Sequence, residues 1–139
     1  MKSVGFSARH NGMYRMPADA GAQHAAAQGA GLRWSVIDLR RARGKRALLG
    51  AFARALAFPG TFGGNWDALA DSLQDLSWLP EPGWVLVLRG AADFAAAAPD
   101  DYAVLLEILG AAADWQRQQG RIFTVLADVA AGLPAFPAP

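Results

Sequence analysis

Phe58-Pro59-Gly60-Thr61-Phe62-Gly63-Gly64-Asn65-Trp66-Asp67-Ala68-Leu69-Ala70-Asp71-Ser72-Leu73 is the stretch on which the reading of this chain turns. Pro59-Gly60 ends whatever precedes it, and Gly63-Gly64-Asn65 has the composition of a turn followed by a helix N-cap. From Trp66 the period is helical. At about 100° per residue, Trp66, Leu69, Leu73 and Leu76 fall within about 80° of one another, whereas Asp67, Asp71 and Asp75 centre about 180° away. One face packs and the other is a carboxylate stripe. From Phe58 to Leu88 there are four acids, Asp67, Asp71, Asp75 and Glu81, and no Lys or Arg. Like charges four residues apart repel by a few tenths of a kcal/mol, about 0.2–0.5. The stripe is therefore either plain solvated surface, with Asp67 favoured by the helix dipole, or a face kept for a cationic partner. Chemistry alone leaves both open.

Working outward, residues 32–39 are rich in strand formers and half alternate. Residues 45–57 carry Leu48, Leu49, Phe52 and Leu56 at helical spacing. Trp84-Val85-Leu86-Val87-Leu88, bounded by Pro82-Gly83 and Gly90, reads as a strand buried on both faces, the pattern of a parallel sheet. A loose Ala-rich link holding Phe94 follows. Asp100 or Asp101 can then cap a long helix with Leu105, Leu109 and Ala112 inward, ending at Gly120. Residues 122–126 form a last strand. The order strand, helix, helix, strand, helix, strand describes α/β architecture with a small three-stranded parallel sheet and right-handed crossovers. Ahead of it, residues 1–31 form an N-terminal extension in which Asp19 can cap a short helix through His24 to Gln28. Residues 32–127 make the domain proper, and residues 128–139 a Pro-rich tail, draped or disordered.

With 139 residues, 53% of them apolar, such a chain can bury about 68% of its unfolded surface in one core. It has no cysteine, hence neither disulfides nor thiolate metal sites, which fits a reducing cytoplasm. No secretory signal is expected at the N-terminus, and no run approaches the ~20 apolar residues of a membrane span. Net charge is +1, but residues 1–46 carry nine Lys/Arg against Asp19 and Asp38 (+7), and the remainder carries four against ten acids (−6). His10 and His24 lack metal-ligand spacing, and neither a phosphate-cradling loop nor a nucleophile elbow is present. Asp67 and Asp71 stand at the i,i+4 spacing of a conceivable hydrolytic pair, but both project from an exposed helix face, which argues against one. A binding protein without cofactor or metal is expected, not an enzyme.

Residues 61–73 resemble the barstar family of ribonuclease inhibitors, whose members carry an aromatic-Gly-x-Asn-x-Asp-Ala-Leu-x-Asp segment at the start of a helix. The resemblance takes in Ile37-Asp38, the helix before Pro59, Val85 to Leu88, Phe94 and Gly120, over roughly residues 32–127. It implies a barstar-like fold and a cytoplasmic inhibitor whose loop and helix plug the active site of a basic ribonuclease, carboxylates standing where RNA phosphates would. By motif position, Asp67 and Asp71 become the main anionic contacts, Asp71 the central one, and Gly63, Gly64 and Asn65 shape the loop, with Phe62 and Asp75 beside them. Thr61 and Ala70 stand where family inhibitors can have large aromatic contacts. Trp115 and Gln116 stand where an accessory acid is expected, and Trp66 and Trp78 are added aromatics that shift the contact surface. The alternative is a non-inhibitory interaction or regulatory module of the same fold, with the basic cluster at residues 40–46 touching nucleic acid; that short cluster without interleaved aromatics is otherwise a solvated loop.

Overall fold

Four segments extend and pair side by side in the computed structural model, which describes residues 5–60 and 62–136. They are β1 (Gly12–Arg15), β2 (Arg33–Asp38), β3 (Trp84–Arg89) and β4 (Phe123–Ala127), all parallel and ordered β1-β4-β3-β2. Five helices accompany them: α1 (Ala20–Gly29), α2 (Lys45–Ala55), α3 (Trp66–Asp75), α4 (Ala91–Ala97) and α5 (Pro99–Gln118). The expected sheet of three strands is corrected to four. The added strand is only four residues long, too short for a hydrophobic pattern, and what holds it is tertiary. Just before it, Asn11 donates from Nδ2 to the carbonyls of Arg121 (2.8 Å) and Ala113 (3.2 Å) and accepts from Phe123 N at 2.8 Å.

Alternation of side chains sorts the strand residues into two cores. Leu86, Leu88, Phe123 and Val125 meet Leu48, Phe52, Leu69, Leu73, Leu105 and Leu109 on the side of α2, α3 and α5. Val85 and Leu126 point the other way and are covered with Ala27 and Leu32, against which Phe6, Tyr14, Trp34 and Phe136 pack. This is why β3 reads as an unbroken apolar run from Trp84 to Leu88, while β4 is buried throughout with Thr124 as its polar residue. Phe6, α1 and Phe136 supply that second layer. Arg15 N donates to the Pro134 carbonyl (2.8 Å) and Arg15 bridges Ala135, so this short segment lies along the outer edge of β1 at Arg15.

Two further expectations are corrected. The Ala-rich link after β3 is the helix α4, favoured by alanine's helix propensity and capped from outside: the Asp128 carboxylate accepts from Gly90 N and Ala91 N, each at 2.7 Å. Gly90 there has φ +79, and an added Cβ would lie 2.7 Å from the Arg40 backbone. The long helix α5 starts at Pro99 behind Ala98, so Asp100 and Asp101 occupy its first turn and do not cap it. Asp19 does cap α1, accepting from Ala22 N at 3.4 Å.

Candidate functional site

The stripe of α3 is exposed because its opposite face is fully consumed. Leu69, Leu73 and Leu76 are 0% exposed, while Asp67, Asp71 and Asp75 lie at the surface. Both ends of the helix are held. Asn65 Oδ1 accepts from Ala68 N at 2.7 Å, and Leu76 closes the C-terminus in the left-handed region, φ 56. Beneath that end Gln116 is completely buried, donating from Nε2 to the carbonyls of Leu73 and Gln74, both at 3.1 Å, and accepting from Arg121 Nε at 2.6 Å. Gln116 therefore supports α3 from inside, and of the pair Trp115 and Gln116 it is Trp115, 42% exposed, that faces solvent.

The loop before α3 is pinned by aromatics. Phe58 packs on Phe62 (centroids 4.8 Å apart) and meets Trp78 edge-on at 5.7 Å, while Trp78 Nε1 donates to the Leu56 carbonyl at 2.9 Å. Between this loop and α3 lies an open groove of ≈ 270 Å³ lined by Pro59, Phe62, Gly63, Ala68, Asp71, Ser72, Asp75 and Trp78. Of the residues expected from the sequence, Phe62, Gly63, Asp71, Asp75 and Trp78 thus come together. Asp67 stands on the outer shoulder of the helix, Ala70 is half-buried and lines no groove, and Asn65 is committed to capping. Gly64, with φ +70, faces away from the groove, and Thr61 lies outside the described residues. Pro59, Ala68 and Ser72 were missed, although Ala68 and Ser72 fall about 60–100° around the helix from Asp71.

On the far side of Phe62 sits a second hollow, of ≈ 590 Å³, lined by Lys45, Arg46, Leu49, Gly50, Ala53, Phe62 and Gly64. Lys45 Nζ reaches to 5.8 Å from the centroid of the half-buried Trp66 ring. The basic and acidic halves of the chain are therefore neighbours in space. At the other end of the basic cluster, Arg40 forms a two-pronged pair with Asp38 (2.9 and 2.8 Å). Hydrogen bonds from the Arg40 side chain and backbone hold the Asp38 carboxyl well below the usual carboxylate range. Among the described residues there is no group of three or more His, Cys, Asp or Glu able to hold a metal, and no helix long and apolar enough to cross a membrane.

A family model described as Barstar (barnase inhibitor) matches residues 32–128, well over half of the chain and the whole of the loop, α3 and the groove. The chain belongs to the Barstar family. A search of curated proteins finds no match. The Barstar match begins at Leu32, so β1 and α1, with their layer on the second sheet face, lie outside it.

Proposed function

We propose that this Barstar-family chain inhibits a basic ribonuclease, docking the loop at 58–64 and the acidic face of α3 into the enzyme's active site. The observation that carries this reading is the groove in which Asp71 and Asp75 stand beside a braced loop, within a segment from Phe58 to Leu88 that offers four acids and no cation. A ribonuclease binds polyanions, so its site presents cations; carboxylates brought against arginines out of water form strong, often bidentate hydrogen bonds. Asp71 is the central contact, Asp67 and Asp75 flank it, and Gly63, Gly64, Asn65, Thr61, Phe62, Ala70 and Trp78 shape the surface around them. The unit that acts is residues 32–127, the setting is the cytoplasm, and neither cofactor nor nucleic acid takes part.

The test is to titrate the protein into RNA cleavage by barnase and by a panel of basic microbial ribonucleases. Expected are suppression at one-to-one stoichiometry for a cognate enzyme and no RNA hydrolysis by the protein itself. Failure against every enzyme would leave the non-inhibitory interaction module as the better reading.

A further inference from the structure

The hollow behind Phe62 has a chemistry opposite to that of the groove in front of it. Its floor is the apolar side of α2, at Leu49 and Ala53, with Gly50 between them. Its rim carries Lys45 and Arg46, both exposed and neither in an ion pair among the described residues. Two local choices in α2 work against the helix itself. Its first turn has no acid, although that end favours anions. A glycine also sits mid-helix at position 50, where glycine weakens a helix. Packing does not demand that glycine: an added Cβ would meet only the tip of the Arg54 side chain, Nη1 at 3.3 Å. Departures from local rules gathered at one open surface mark a place kept for binding. The small residues hold the floor open, and the uncompensated cations set the sign of what enters.

From this we propose that the hollow is a second socket of the docking surface, taking an apolar side chain of the partner that is neighboured by a carboxylate. The proposal rests on the inhibitor reading above and sharpens the partner's description. The cognate ribonuclease presents its cations to α3 and, on the other side of Phe62, an acid beside an apolar residue to α2. An enzyme with cations alone fits half of the surface, so the Lys45 and Arg46 socket selects among basic ribonucleases that the acidic stripe would accept alike.

The sign of a charge reversal separates this socket from simple attraction. Changing Lys45→Glu and Arg46→Glu together takes the net charge from +1 to −3, because each reversal shifts it by two. Toward a basic enzyme, long-range attraction alone then predicts faster association and tighter binding. The socket predicts the reverse: at least tenfold weaker inhibition of the enzyme the wild type inhibits, by faster dissociation. Acids in the first turn suit the helix dipole, so the variant should fold. Ala53→Leu, which fills the floor with a good helix former, is a second variant with the same expected loss, and circular dichroism checks both. Barnase and the panel of basic ribonucleases are the probes, with Asp71→Ala alongside. Unchanged or tighter inhibition by both socket variants, with Asp71→Ala still weakened, would overturn the socket and leave the inhibitor reading standing. No inhibition by the wild type of any enzyme would overturn both.

Discussion

Asp71 and Asp75 carry the same charge one helical turn apart, yet their surroundings differ. Asp71 stands mid-stripe over the groove, whereas Asp75 closes the helix and accepts a hydrogen bond from Ser77 N at 3.3 Å. A partner cation left buried and unpaired by Asp71→Ala costs about 3 to 5 kcal/mol of binding, expressed as faster dissociation. Asp75→Ala removes a rim charge, worth at most about 1 kcal/mol, and acts on association and its salt dependence. Stopped-flow rates at low and high salt distinguish the two, and equal losses would mean the stripe is only solvated surface. At Gly90 the constraint is steric. Gly90→Ala would force alanine into the left-handed region and push against the Arg40 backbone, so a loss of about 2 to 4 kcal/mol is expected in urea unfolding. Tyr102 gives a pH signature: burial, then the nearby Asp128 charge, push its hydroxyl above the ordinary value. Below the unfolded value of 10.0 the full stability is present. As pH rises past it, the unfolded chain ionises first and stability falls. Tyr102→Phe should flatten that alkaline decline relative to wild type.

Among the elements, those with a strong period were readable and those without were not. Leu69, Leu73 and Leu76 announce α3, and the run of β3 announces a strand covered on both faces. In contrast α4 is so rich in alanine that no apolar stripe emerges, and β1 is held by Asn11 and a distant strand, a contact no local window contains. Of the site, the acids and the loop were plain in the sequence, because a stripe and a turn are local patterns. The bracing was not. Gln116 looks like an ordinary polar surface residue, although it lies seven residues after Leu109 on the buried side of α5. Lys45 and Arg46 belong to the half of the chain with the wrong sign, and only the packing of α2 beside the loop brings them to the site. Gln116→Leu keeps much of the volume but strands the Leu73 carbonyl and the Arg121 guanidinium. The expected cost is about 1 to 3 kcal/mol by thermal unfolding, with faster amide exchange in the last turn of α3.

At the scale of the molecule, residues outside the family match, Phe6, Ala27 and Phe136 among them, pack over the side of the sheet that carries Val85 and Leu126. Removing residues 1–31 would uncover Val85 and Leu126, both 0% exposed, and at about 1.5–3 kcal/mol each the loss should reach roughly 3 to 6 kcal/mol. Urea unfolding of the truncated chain, with dye binding to report exposed apolar surface, checks this; unchanged stability would mean the second layer is ornamental. The pairing of β1 with β4 also sets an order of events during synthesis. Met13 pairs with Val125, so a segment made early waits for one made late. At typical elongation speeds of ~5–20 residues per second, that wait is roughly 6 to 22 s. Until β4 clears the ribosome, Tyr14 and its neighbours have no sheet to join, while β2 and β3 can already pair. On ribosomes stalled before residue 123, trypsin should still cut after Arg15; once residue 127 and the tail beyond it have emerged, the cut should disappear. β1 thus acts in the nascent chain as a marker of the finished sheet, open to proteases and chaperones until β4 is in place.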